Sequence, residues 1–176
     1  MFLTEFLRKM DEYAKAHRSE TVDKDAIDFK EYMNQLVVDG DPRFYELFQK
    51  WKDAHKTHGN TYIRVPVHRT DTLELILLVW CPHSSTPVHS HPKYGCLFRV
   101  IEGTIHTETY LDDDMSSIYK TNGEQILPKG SIDYTKGQHG IHRVFNPYPT
   151  MAFSLHLYIH RSSIYGGRIG HSISIP

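Results

Sequence analysis

Apolar residues recur at spacings of three and four near the start of the chain. Phe2, Leu3, Phe6, Leu7, Met10, Tyr13 and Ala14 form one stripe, and Ile27, Phe29, Tyr32, Met33 and Leu36 a second. That period is the helical one and predicts two helices, each burying one face, the second ended by Gly40. A third helix is predicted to start at Asp41, whose carboxylate suits the N-cap. Pro42 takes the first helical position, and Phe44, Leu47, Phe48 and Trp51 face inward. These stripes read as surfaces for packing against a sheet, without chemistry of their own.

From Thr61 the pattern changes to short β-type runs broken by turns. Leu73 to Trp80 is a nearly continuous apolar run, long enough for a buried strand. Leu97 to Ile101, a turn at Gly103 and Thr104 to Tyr110 read as a hairpin. Asp112 to Asp114 reads as a solvated loop, Lys120 to Gly123 and Pro128 to Gly130 as turns, and Ala152 to Ile159 as the last strong strand. In that strand Phe153, Leu155, Leu157 and Ile159 share one face, and Ser154, His156 and Tyr158 the other. Likewise Tyr62 and Arg64 oppose Ile63 and Val65. The polar faces carry Ser, His, Tyr and Arg in place of the Lys and Glu of a wet surface, so they are expected to line an interior. The expected fold is mainly β, a small β-barrel or sandwich with helices on one side. It forms one domain over 1–176, with a helical segment at 1–60, the barrel at 61–160 and an irregular tail at 161–176.

Composition narrows the function classes. The 176 residues are 39% hydrophobic and 23% charged, enough for a globular core. Twenty Lys and Arg against 21 Asp and Glu create no field for nucleic acid or acidic lipid, so neither partner is expected. No apolar run approaches a bilayer span, and the charged N-terminus is unlike a signal peptide. Two cysteines, Cys81 and Cys96, make no disulfide framework, and a reducing cytoplasm is the expected compartment.

His89-Ser90-His91 is where chemistry enters. Residues two apart on an extended strand point the same way, so two imidazoles face one point, the start of a metal site. A third nitrogen is available at His142, within Gly140-Ile-His-Arg-Val-Phe-Asn146. His89-x-His91-x4-Cys96-x6-Gly103 resembles the first motif of the cupin superfamily, small jelly-roll β-barrels with a metal in the lumen. Gly123, Pro128-Lys-Gly130 and His142-x3-Asn146 resemble the second motif. Cys96 stands where cupins ordinarily have Glu, and His83 where Gly is usual. The Cys in place of Glu resembles the cysteine dioxygenases, as do Tyr62-x-Arg64, Trp80, Gly140-Ile-His142-Arg-Val and Ser154-Leu-His156-Leu-Tyr158. The resemblance spans Tyr62 to Tyr158. The loop Cys81 to Val88, Phe145 in place of an acidic residue and a short tail depart from the pattern.

Three neutral imidazoles without a carboxylate leave Fe(2+) its full charge, which favours a thiolate ligand. As the resemblance implies, His89, His91 and His142 hold ferrous iron, and L-cysteine and O2 are the partners. Both oxygen atoms go to sulfur, giving cysteine sulfinic acid, a step in cysteine catabolism and taurine biosynthesis. Arg64 is expected to hold the substrate carboxylate by two parallel hydrogen bonds, beside Tyr62. Relatives that act on mercaptopropionate typically carry Gln there. Tyr158 is expected near the iron, with His156 orienting its hydroxyl and Ser154 fixing the His156 tautomer. The resemblance also implies that Cys96 and Tyr158 can join in a thioether, and a monomer is expected. Two alternatives stand beside this reading: a dioxygenase of 3-mercaptopropionate or cysteamine, and a non-catalytic cupin holding zinc or nickel. His17, His55, His58, His68, His106, His160 and His171 are read as surface or structural residues. His83 and His139 lie near the motifs without an assigned role, and Cys81 is read as a small buried or rim residue.

Overall fold

The structure is a computed structural model that describes residues 1–16, 22–70, 73–91, 96–111, 120–135 and 140–159. Four helices come first: α1 (Leu3–Ala16), α2 (Val22–Gln35), α3 (Pro42–Trp51) and the single turn α4 (His55–His58). Eight strands follow: β1 (Tyr62–Arg69), β2 (Leu73–Trp80), β3 (Cys96–Glu102), β4 (Thr104–Leu111), β5 (Lys120–Pro128), β6 (Ile132–Thr135), β7 (Ile141–Phe145) and β8 (Ala152–Ile159). They form a five-stranded sheet, β1-β2-β8-β3-β6, and a three-stranded sheet, β5-β4-β7. Every strand pair is antiparallel. This is a cupin-type jelly roll with a helical N-terminal segment.

Two cores explain the patterning. Leu73, Leu75, Leu77 and Val79 of β2, with Phe153, Leu155 and Leu157 of β8, pack beneath Leu3, Phe6, Met10, Phe29, Met33 and Phe44 of the helices. On the other face Ile76, Leu78, Trp80, Phe98 and Val100 meet Ile105, Leu127 and Val144 of the smaller sheet. The layers therefore run helices, large sheet, lumen, small sheet. Because β2 has apolar neighbours on both faces, its sequence does not alternate. The polar face of β8 points into the lumen, as its residue types suggested. Phe2, placed in the first apolar stripe, is instead 54% exposed.

Polar ties fix the helices on the sheet. Asp41 is buried and caps two helices at once: one carboxylate oxygen accepts from Arg43 N at 2.9 Å, the other from Leu3 N at 2.7 Å. Arg99 on β3 donates to the carbonyls of Met33, in the last turn of α2, and, at 2.8 Å, of Leu36 just beyond it. Lys129 spans Asp39, after α2, and Glu102 at the end of β3.

Two sequence expectations about the strands need correction. β3 and β4 are not a hairpin: β3 pairs with β6 and β8, and β4 with β5 and β7, so the chain crosses between sheets at Gly103. Gly103 makes the crossing with φ +75°, where an added Cβ would lie 2.9 Å from both Ala152 Cβ and Met151 O. Lys120 to Gly123 is the start of β5 and not a turn. α4 and β6 were not foreseen. Asp112 to Asp114 and the tail 161–176 lie outside the described residues.

Gly103→Ala is expected to lower stability by about 2–4 kcal/mol, combining left-handed backbone strain with overpacking against backbone atoms. A denaturation midpoint equal to that of the unsubstituted chain would show that the crossing tolerates a side chain.

Candidate metal centre

His89 and His91 lie on the segment between β2 and β3, and His142 lies on β7. The backbone brings them together. His89 N donates to His142 O at 2.9 Å, and His142 N donates to His89 O at 3.0 Å. Thr86 pins the same segment upstream: its N donates to Val144 O at 2.9 Å, and Val144 N donates to its hydroxyl at 3.0 Å. Beyond β7, the buried Asn146 amide donates to the carbonyls of Trp80, Cys81 and Thr150, and Asn146 N donates to Ser84 O. The motif asparagine thus holds the loop that carries the histidines.

The three imidazoles face one another, with ring centroids 5.0 Å (His89–His91), 4.8 Å (His89–His142) and 4.7 Å (His91–His142) apart. One ring nitrogen of each lies within 4.8 Å of the others. Hydrogen bonding prepares these rings as ligands. His89 Nδ1 lies 2.9 Å from Pro87 O, which fixes the proton there and leaves the Nε2 lone pair free. His142 Nδ1 lies 3.4 Å from both Thr107 Oγ1 and Thr135 Oγ1, while its Nε2 is buried without a partner. His91 Nδ1 is also buried and unpartnered. Orphaned nitrogens of this kind are costly unless something binds them. The donor set fits a divalent transition metal that accepts imidazole nitrogen.

Electrostatics keeps the rings neutral. Burial, then the neighbouring His89 and Arg64, hold His91 down to about 3. Burial, then His91 and His89, hold His142 down to about 2. Burial also places His156 well below the usual imidazole value. Neutral rings keep the lone pairs a metal needs. The same shifts make the metal-free chain acid-labile. Each folded-state pKa lies below its unfolded value, so the stabilisation is full above pH ~6.5 and is lost as pH falls, by about 1.4 kcal/mol per pH unit for each group. The metal-free chain is expected to show a falling denaturation midpoint from pH 7 to pH 5. A flat midpoint would mean that these rings protonate without unfolding the chain.

A pocket opens over the three histidines, walled by Tyr62 and Arg64 of β1, Leu78 and Trp80 of β2, and His156 and Tyr158 of β8. Tyr62 stacks on Trp80 with centroids 5.5 Å apart. Arg64 is exposed, its guanidinium carbon 5.8 Å from the centre of the Tyr158 ring, and it has no carboxylate partner among the described residues. Cys96 and Tyr158 are direct partners in the β3–β8 register. Burial pushes the Cys96 thiol up to about 12, opposed by its hydrogen bond to Tyr158. Burial, then Cys96, raise the Tyr158 phenol, with Arg64 opposing.

The residues expected to form the site are therefore gathered in one place, with one difference of contact. His156 was expected to orient the Tyr158 hydroxyl. Its two nitrogens instead face Ser154 Oγ, 2.8 Å from Nε2, and Cys96 Sγ, 3.5 Å from Nδ1. The ring stacks on Phe98 at 4.9 Å and 7°. Thr107 and Thr135, which flank His142, were not identified from sequence. Their only signal is a place on the inward face of a strand, which threonines share with many ordinary barrel positions.

The other histidines lie apart. His106 sits between Glu124 (2.5 Å) and Tyr148 (2.9 Å), His68 faces Asp11 at 3.1 Å, and His55 and His58 are exposed on α4. His83 is exposed at φ +58°, a conformation that suits the glycine usual at its motif position. Cys81 is buried. His17, His139, His160 and His171 lie outside the described residues. Among the described residues no helix is long and apolar enough to cross a membrane.

Among solved structures, the chain is similar to a Thermus thermophilus protein at 17% identity, covering 57% of this chain and 84% of that one, with TM-score 0.46. A cupin superfamily protein of Desulfitobacterium hafniense DCB-2 matches at 13% identity over 57% of this chain and 78% of its own, with TM-score 0.43. An oxalate oxidase matches at 14% identity and TM-score 0.47; the match takes 60% of this chain and spans about half, 54%, of the oxidase. The family model for cysteine dioxygenase type I matches residues 12–163, reaching well into the helical segment. The chain belongs to the cysteine dioxygenase type I family, metal-dependent thiol dioxygenases on a cupin barrel.

Proposed function

We propose that the chain is an iron(II)-dependent cysteine dioxygenase that converts L-cysteine and O2 to cysteine sulfinic acid. The observation that carries the choice of cysteine is Arg64. A guanidinium without a described carboxylate partner shares a pocket with three neutral histidines. Ferrous iron held by His89, His91 and His142 supplies an uncompensated positive centre for a thiolate and the redox chemistry to use dioxygen. The balance is closed, because one thiol and one O2 give one sulfinic acid without a further co-reactant.

The chain's own residues define the rest. Arg64 holds the substrate carboxylate in a bidentate pair, which turns the thiol end toward the histidines. Tyr62, stacked on Trp80, walls that end of the pocket and limits the length of the thiol. Tyr158 keeps its proton at neutral pH, so its hydroxyl serves as a donor beside the substrate. The reading carries with it a reducing cytoplasmic compartment and a monomer.

The register of Cys96 opposite Tyr158 supports a thioether between them. Protein recovered after aerobic turnover is expected to weigh ~2 Da less than the sequence mass, one hydrogen lost from each partner. An intact mass that stays at the sequence value after exhaustive turnover removes the cross-link.

Oxygen uptake by the iron-loaded chain tests the main proposal, comparing L-cysteine, 3-mercaptopropionate and cysteamine. L-cysteine is expected to give the highest kcat/KM. Higher efficiency with another thiol reassigns the substrate, and iron-loaded protein inert to all three leaves a metal-binding cupin without this activity.

A further inference from the structure

A run of buried hydrogen bonds leads from Trp80 through Ser154 and His156 to Cys96. Trp80 Nε1 donates to Ser154 Oγ at 2.8 Å, Ser154 Oγ lies 2.8 Å from His156 Nε2, and His156 Nδ1 lies 3.5 Å from Cys96 Sγ. Trp80, Ser154 and Cys96 are fully buried, and His156 is 4% exposed. With so little exposure these groups turn to one another for partners, and the direction of each bond follows from what each group can offer.

An indole N–H only donates, so Ser154 Oγ is an acceptor toward Trp80. The serine hydrogen then needs an acceptor of its own, and the acceptor within reach is His156 Nε2. Were Nε2 to carry the proton, Ser154 would accept twice and its own hydrogen would be buried without a partner, a loss of about 1–3 kcal/mol. Nε2 is therefore the bare nitrogen, and the single proton of the neutral ring sits on Nδ1, aimed at the Cys96 sulfur. Phe98, stacked flat on the imidazole, holds the ring in that plane.

We infer that Trp80 is a positioning residue: through Ser154 it fixes His156 as the Nδ1–H tautomer, so that His156 donates to the Cys96 sulfur and does not act as its base. The bonds all run one way, from indole to sulfur. The Cys96 thiol turns its own hydrogen to Leu97 O at 3.9 Å, which leaves the sulfur free to accept. The tautomer stands on the hydrogen-bond chain alone, while its bearing on the Cys96–Tyr158 thioether rests on the dioxygenase reading above.

Nitrogen-15 NMR of the full-length chain loaded with zinc, which is diamagnetic, reads the tautomer directly. His156 is expected to show a pyrrole-type Nδ1 and a pyridine-type Nε2. In Trp80→Phe, Ser154 is released from the indole, and the single pattern should give way to an averaged one. A pyrrole-type Nε2 in the unsubstituted chain overturns the proposal, and an unchanged pattern in Trp80→Phe overturns the role of Trp80. Should Trp80→Phe fail to fold, Ser154→Ala provides the second variant. It removes the hydroxyl that holds Nε2 and should shift the pattern in the same sense, and an unchanged pattern there also overturns the proposal. A general loss of packing would not select one ring nitrogen over the other. Failure of the iron-loaded chain to oxidise any thiol would remove the dioxygenase reading and leave the NMR result standing, so the two failures are told apart.

Discussion

Replacing His89, His91 or His142 by alanine is expected to abolish turnover and reduce iron affinity by more than about 100-fold, since losing even an outer partner of a metal ligand costs 10–100-fold. His89→Ala is the cleanest of the three. His89 is the least buried, and among the described residues its ring makes one hydrogen bond, to Pro87 O. Its removal therefore leaves the helical and lumenal cores intact. His91 and His142 are almost wholly buried, 7% and 2% exposed, so their variants also open small cavities. Metal content by elemental analysis, beside circular dichroism for the fold, separates loss of the ion from loss of structure. Stoichiometric iron at full rate in any of the three would end the assignment of these residues as ligands.

Arg64→Ala should leave the fold untouched and reduce kcat/KM for L-cysteine mainly through KM, because a carboxylate contact made in the ground state is lost. Charge-assisted hydrogen bonds contribute about 1.5–3 kcal/mol, so the expected loss is roughly 10–150-fold. Cysteamine supplies an internal control. It has no carboxylate for Arg64 to hold, and its efficiency should change little. Equal cysteine efficiency before and after the substitution would take Arg64 out of substrate binding, whereas parallel losses for both thiols would point to a disturbed pocket.

Much of the site was legible because it is written in short-range order. His89-x-His91, the alternation of Ser154, His156 and Tyr158, and the Tyr62–Arg64 pair each need only the two-residue period of a strand. The apolar stripes of the helices are local in the same way. The two sheets were not legible. A strand, a glycine turn and a second strand look alike whether the chain folds back on itself or crosses to another sheet. What sends β4 across is a set of partners elsewhere in the chain, in β5 and β7. His156 failed for a related reason. Its face was correct, but which neighbour its Nδ1 meets depends on the register of β3 against β8, which places Cys96 beside Tyr158. Thr107 and Thr135 reach His142 from different sheets, so nothing in either local sequence marks them.

The double cap at Asp41 bears on how the chain comes apart. α1 and α2 have 14 residues each and α3 has 10, lengths at which isolated helices are marginal in water. One carboxylate starts both α1 and α3, and two strand-side cations, Arg99 and Lys129, reach the end of α2 and the turn after it. Fraying of one helix therefore removes a terminus from another. The helical segment is thus no detachable appendage. It belongs to the same cooperative unit as the large sheet, and a chain cut near residue 60 would bare Leu75, Leu77, Leu155 and Leu157 as one adhesive apolar face.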